Sequence, residues 1–102
     1  MLLARIEGAI VATAKDPHVS GRPLLLVRPQ FLDGGTPPGC QGGSGTLVAV
    51  DTVGAGLDEW VIVCQGSSAR LVAGLADSPV DAVIIGIVDM VTVRDHLAYR
   101  KP

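Results

Sequence analysis

Apolar and polar positions alternate along the first stretch of the chain. Leu2, Ala4, Ile6, Gly8, Ile10 and Ala12 fall on one face, and Arg5, Glu7 and Thr13 on the other. A period of two over Leu2–Ala14 predicts a half-buried strand. Gly8 within it predicts the bend or bulge that a curled sheet needs. Leu24–Val27, between Pro23 and Pro29, is a second strand, at an edge or a strand end. Thr46–Asp51 and Trp60–Cys64 are two more, joined across Gly54-Ala55-Gly56, which makes a sharp turn at low steric cost. Gly66 stops the fourth strand. Ser67 or Ser68 then caps a short helix over Ser68–Leu75, with Arg70 in its first turn and Asp77-Ser78-Pro79 ending it.

Val83–Val93 breaks the alternation. Its odd face (Val83, Ile85, Ile87, Asp89, Val91, Val93) and its even face (Ile84, Gly86, Val88, Met90, Thr92) are both apolar. The β-branched excess reads as a strand rather than a helix. Parallel sheets cover both faces with helices, but this chain offers one short helix. One face should therefore fill a barrel and the other should meet a second subunit, since an uncovered apolar strand aggregates. Whether Ile87 or Val88 marks the outward face stays open.

The remaining segments are connections. Lys15–Gly21 is a loop. Phe31–Gly45, with six glycines and two prolines, cannot bury a core and reads as a mobile surface loop, centred on residues 33–45. Residues 94–102 read as a polar tail, frayed unless an assembly holds it. The fold expected is all-β: a small five-stranded antiparallel barrel, OB-like, with one short α-helix, in a single domain over residues 1–102.

Composition sharpens the expectation of partners. A chain of 102 residues can bury about two-thirds of its unfolded surface by folding alone. Yet it is 48% hydrophobic and 18% charged, below the roughly 25% charged of ordinary domains. The surplus suggests further burial between copies. A net charge of −2, no Lys/Arg cluster and one each of Trp, Tyr and Phe argue against nucleic acid. No apolar run approaches the ~20 residues that span a bilayer, and Arg5 and Glu7 interrupt any apolar leader, so a cytoplasmic protein is expected. Cys40 and Cys64 form no C-x-x-C pair. Cys64 reads as a small strand hydrophobe, and Cys40 as an exposed loop thiol.

No catalytic constellation emerges. His18 and His96 have no carboxylate or cysteine at ligand spacing, so no metal and no cofactor is expected. Asp58 and Glu59 are neighbours in a turn and do not face each other across a cleft. Ser67 and Ser68 have no base beside them. The Gly-rich loop lacks the phosphate-cradling G-x-x-x-x-G-K-[ST] pattern. Gly54-Ala55-Gly56 has Glu59 where a dinucleotide fingerprint needs its third glycine. Asp51, Asp81 and Asp89 lie in or beside strands and need partners. Arg5, Arg28 and Arg70 are the cations available, within the chain or across subunits.

Three stretches together resemble one family. Gly54-Ala55-Gly56-Leu57-Asp58-Glu59-Trp60-Val61 followed by Gly66-Ser67-Ser68-Ala69-Arg70 is similar to the vertex proteins of bacterial microcompartments. These are the small pentameric shell proteins of carboxysomes and of ethanolamine-utilisation metabolosomes. Ala4–Thr13 resembles that family's first strand and Pro79–Asp89 its last, so the likeness runs in order along nearly the whole chain. Residues 33–45, a Gly/Pro-rich stretch, do not map onto the resemblance. The resemblance implies a β-barrel and no catalysis. It implies a homopentamer closing the vertex of a microcompartment shell whose facets are hexameric proteins. On that reading Gly66, Ser67 and Ser68 ring an axial opening, and Arg70, Asp81, Ile87 and Val88 are candidates for the subunit interface. The alternative is an OB-type binding module for nucleic acid or another small ligand.

Overall fold

A computed structural model describes residues 1–13, 21–35, 38–72 and 80–102. The Lys15–Gly21 loop apart from Gly21, His18 within it, and the expected helix end at Asp77-Ser78-Pro79 lie outside these residues. Eight strands are described: β1 (Leu2–Ile10), β2 (Leu24–Leu32), β3 (Cys40–Gly42), β4 (Leu47–Asp51), β5 (Trp60–Gln65), β6 (Ala82–Ile87), β7 (Met90–Val93) and β8 (His96–Arg100). The sheet order is β1-β5-β6-β4-β2-β3, and β1 also pairs with β2. The pairings thus run from β1 through β5, β6, β4 and β2 and return to β1, which makes a curled sheet. β7 and β8 form a separate two-stranded sheet.

The molecule is all-β with almost no helix. Among the described residues its pairings are antiparallel except one: β4 and β6 run parallel, with Val50 opposite Val83 and Asp51 opposite Ile84. This corrects the purely antiparallel expectation. The α-helix expected over Ser68–Leu75 is also corrected as far as Val72, residues 73–75 lying outside the described residues. Gly66–Leu71 is a 3₁₀ helix, its N-cap is Gln65, and no side chain caps it. Gly66, at φ +71, supplies the left-handed turn out of β5 that lets the helix begin two residues early.

The curl follows from β1. Ile6 pairs with Val27 but Gly8 pairs with Leu26, so Glu7 is the extra residue of a bulge. The bulge moves Gly8 to the side of outward Leu26, whose Cδ1 lies 3.7 Å from where a Gly8 Cβ would stand. The even-numbered face predicted for Leu2–Ala12 therefore ends at Ile6, because one extra residue exchanges the faces.

Inside the curl, Ala4, Ile6, Leu25, Val27, Ala49, Val61, Val63, Ala82 and Ile84 form the core. A second cluster lies across β4 and β6: Val50, Ala69, Val80 and Val83, with Leu24, Val72 and Ile85 packed against it. The outward face of β6 is thus partly roofed by the chain's own 3₁₀ helix. The expectation that this face meets only a neighbouring subunit is corrected at Val83 and Ile85.

Three other segments differ from expectation. β2 runs through Pro29 to Leu32, and Cys40–Gly42 pairs with its far end, so part of the glycine-rich stretch is strand. Gly43 N–H donates to Pro29 O at 2.8 Å, and Arg28 Nη1 donates to Gly43 O at 2.7 Å. The Val83–Val93 strand is two strands broken at Val88-Asp89. The tail expected to fray instead returns as β8.

Candidate functional site

The sequence-predicted residues gather at one end of the sheet. β5 ends at Gln65 and β6 begins at Ala82, and the 3₁₀ helix rises between them. Gly66 N–H donates to Asp81 O at 2.8 Å, which brings the start of the helix against the start of β6. Ser68 Oγ donates to Gln65 O at 3.1 Å and lies 3.8 Å from Cys64 Sγ. Cys64 is half-buried, short of the full burial expected of it. Gly66, Ser67 and Ser68 are all exposed, while Ala69 is fully buried beneath them. Arg70 Nε donates to the carbonyl of Val80 at 3.3 Å, one residue before Asp81, whose side chain is exposed. The fold therefore unites five of the seven candidates: Gly66, Ser67, Ser68, Arg70 and Asp81.

Ile87 and Val88 stand at the opposite end of β6. Ile87 is half-buried and packs against the inner core. Val88 is buried, and its N–H donates to Trp60 O at 2.8 Å. Within the subunit Ile87 is thus half-buried and Val88 buried.

The other candidates find local partners. Asp51 is buried without a cation. Its carboxylate accepts the N–H groups of Val53, Gly54 and Ala55 at 2.9–3.2 Å. This Asx-type arrangement builds the turn that Gly54, at φ +76, completes. Asp33 accepts Gly39 N–H at 2.8 Å and Gly35 N–H at 3.0 Å, and these amides, Gly39 first, hold its carboxyl below the usual range. Cys40 is exposed, and its thiol donates to Gln30 Oε1 at 3.3 Å. An open cavity of about 440 Å³ lies between Phe31–Asp33 and Gly39–Gln41. Among the described residues, Asp33 and Cys40 are the only acid and thiol on its wall, and no base lines it. Among the described residues, no three His, Cys, Asp or Glu side chains converge as a metal site.

Two features escaped the sequence. The first is an ion triad on the outer face. Arg5 Nη2 and Arg28 Nε both donate to Glu7 Oε1 at 2.9 Å. Arg5 and Arg28 are directly opposite across β1 and β2, a like-charge pairing that costs stability on its own. The bulge places Glu7 between them. Arg5 foremost, then Arg28, depresses the Glu7 pKa, and Glu7 raises that of Arg5. The second is the seat of the hairpin. Tyr99 stacks on Trp60 with ring centroids 4.2 Å apart and planes 15° apart. Lys101 Nζ meets Glu59 Oε2 at 2.7 Å, while Glu59 Oε1 accepts Gly56 N–H at 2.6 Å. Lys101 foremost, then Gly56, lowers the Glu59 pKa, and Glu59 raises that of Lys101. Glu59 was legible only as a turn acid, because its partner lies 42 residues away.

This chain has close counterparts. Residues 1–89 match the family model described as ethanolamine utilisation protein EutN/carboxysome. The chain is 46% identical over 101 residues to the carboxysome shell vertex protein CcmL of Synechocystis sp., covering 99% of this chain and 95% of that one. Its fold matches the structure of Gloeobacter violaceus CcmL with a TM-score of 0.87 at 42% identity, covering 99% of this chain and 98% of the other. It also matches the pentameric microcompartment shell protein GrpN of Rhodospirillum rubrum, with a TM-score of 0.74 at 41% identity, covering 90% and 98%.

Proposed function

We propose a structural role from a plain premise: the chain belongs to the ethanolamine utilisation protein EutN/carboxysome family. It is a shell protein and not an enzyme. It forms a pentamer that caps the vertices of a bacterial microcompartment shell in the cell interior. The observation that carries this is likeness to a shell vertex protein across 99% of the chain, joined to a pentameric structural relative.

The finer reading follows the same line. The curled sheet is a five-stranded OB-like barrel of β1, β5, β6, β4 and β2, with β3 and the hairpin as appendages. The return of the pairings to β1 supports this. The rim of the ring meets hexameric facet proteins. Flat hexagonal layers do not close, and five-fold units supply the missing curvature. Gly66, Ser67 and Ser68 face the five-fold axis as a small polar collar, since they are exposed on a helix whose underside is anchored by Ala69. Arg70 and Asp81, exposed at the same end, are interface residues, and Ile87, half-buried at the other end of β6, is a further candidate. Val88 supports the interface only by fixing the end of β6 to Trp60.

Co-expression of facet proteins with and without this chain tests the role. With it, shells are closed and exclude a large fluorogenic probe. Without it, and with no other vertex protein present, they have open vertices or extend as tubes and sheets. Equally closed shells in its absence, with the purified ring never joining them, overturn the assignment.

A further inference from the structure

The β7–β8 hairpin is a poor element by itself. A lone two-stranded ribbon is marginal in water. None of its residues belongs to either core cluster. One of its faces has a cover: Val91 is opposite Tyr99, and Tyr99 lies on Trp60. The other face carries Met90 opposite Arg100 and Thr92 opposite Leu97. Met90 is 54% exposed and Leu97 50% exposed. Arg100 lies over the Met90 sulfur at 3.9 Å. The turn between the strands, Arg94-Asp95, holds two non-glycine residues at φ +49 and +65, a conformation that favours Asn-Gly. Apolar side chains and backbone strain are thus both spent on an exposed face.

Charge points to the occupant. Residues 90–102 hold three Lys/Arg against one acid, a net +2, whereas residues 1–89 hold five against nine, a net −4. Of the hairpin cations, only Lys101 is paired with an acid of its own body among the described residues. Four exposed carboxylates of the body have no salt bridge among the described residues: Asp33, Asp58, Asp81 and Asp89. The Asp33 carboxylate is already engaged by the N–H groups of Gly35 and Gly39. Asp58 adjoins Glu59, which already holds Lys101, and the Asp89 backbone carbonyl accepts the Lys101 N–H at 2.8 Å, so both residues lie beside their own hairpin. Asp81 lies at the other end of β6. A cyclic ring needs two different complementary surfaces on every subunit. A basic, partly apolar arm and an acidic body meet that need.

We infer that the exposed hairpin face, Met90, Thr92, Leu97 and Arg100, grips the body of the next copy in the ring, with Arg100 directed to that copy's Asp81. This rests on the pentamer proposed above and names the surface that holds it. The arm also explains why the body's surplus acid does not drive copies apart.

The test uses the full chain. Met90→Asp with Leu97→Asp introduces two charges on the gripping face and leaves Tyr99 and Lys101 in place. Native mass spectrometry across a concentration series measures ring dissociation, and emission from the single Trp60 reports that the hairpin still covers it. With unchanged emission, the apparent dissociation constant rises on the order of a hundredfold. Arg100→Glu weakens the ring by about tenfold at low salt and makes added salt relieve the loss by screening the new Glu–Asp repulsion, and Asp81→Arg added to it restores the ring. A ring indifferent to the two aspartates, with unchanged emission, overturns the contact and leaves the vertex assignment standing. Failure of the charge swap to restore the ring overturns the pairing with Asp81. A wild-type chain that stays monomeric overturns the ring itself and this contact with it.

Discussion

β6 and β7 are consecutive, are both rich in apolar residues (Val and Ile in β6, Val and Met in β7), and have opposite fates. In β6, Ala82, Val83 and Ile84 are buried, with the inner core on one side and the 3₁₀ helix on the other. In β7, Met90 and Thr92 are exposed and Val91 and Val93 only half-buried. The difference is in neighbours. β6 lies between β5 and β4, so both of its edges are satisfied. β7 has one partner, β8, and the pair is attached through an aromatic stack, one ion pair and the Lys101–Asp89 backbone bond. The Tyr99 hydroxyl is buried at that attachment without a hydrogen-bond partner among the described residues, which weakens it further. Hydrophobicity sets the potential for burial, and pairing decides whether it is realised. The match to the family model ends at residue 89, where the body gives way to the hairpin.

The largest break in this comparison comes from the body. Ile84→Ala removes a fully buried side chain from the inner core and should cost about 3 kcal/mol, seen as a lower urea midpoint at fixed protein concentration. An unchanged midpoint would place Ile84 outside the cooperative core. Tyr99→Ala should cost less, about 1 kcal/mol beyond the lost area. Its clearer signature is local: amide exchange speeds up across Met90–Arg100, and the Trp60 emission shifts to the red. Exchange that accelerates equally in β6 would mean that hairpin and body unfold as one.

Acid should separate the two regions without any mutation. Lys101 depresses the Glu59 pKa, so the attachment is fully present above the ordinary Glu range and is lost as pH falls through the lowered value. On the alkaline side, Lys101 is raised, so its contribution persists past the usual Lys range and is lost as pH rises through the raised value. Glu59→Gln should flatten the acid response of hairpin exchange and leave that of β6 alone. The smallest effect is expected at Gly86→Ala. A Cβ there meets Ile62 Cδ1 at an ordinary 3.6 Å, and stability should change by no more than about 0.5 kcal/mol. A large loss would show that β6 is packed tighter on its outer side than on its inner side.

Legibility in the sequence followed the range of the interactions. The turn at Gly54-Ala55-Gly56, the stop at Gly66 and the grouping of Ser67, Ser68 and Arg70 were readable, because each depends on residues a few positions apart. The 3₁₀ character of Gly66–Leu71 was not, since no side chain in the run announces it. The hairpin was hidden because its turn is Arg94-Asp95, without the glycine or asparagine that usually signals left-handed backbone. The triad of Arg5, Glu7 and Arg28 was hidden by the bulge, which no sequence period displays.

By itself the sequence determined that the five strands β1, β2, β4, β5 and β6 form and which of their residues are apolar, because side chains alternate across a strand whatever it pairs with; β3 and the β7–β8 hairpin were outside its reach. Its likeness to vertex proteins was legible on the same local grounds, in the runs around Gly54 and Gly66. Only the tertiary structure decided which faces are covered. Closure brings β1 against both β2 and β5, sets β4 parallel to β6, and lays Ala69 over Val83. Those pairings join residues tens of positions apart, and their registers are fixed by bulges and by packing volume, neither of which leaves a periodic trace in the chain.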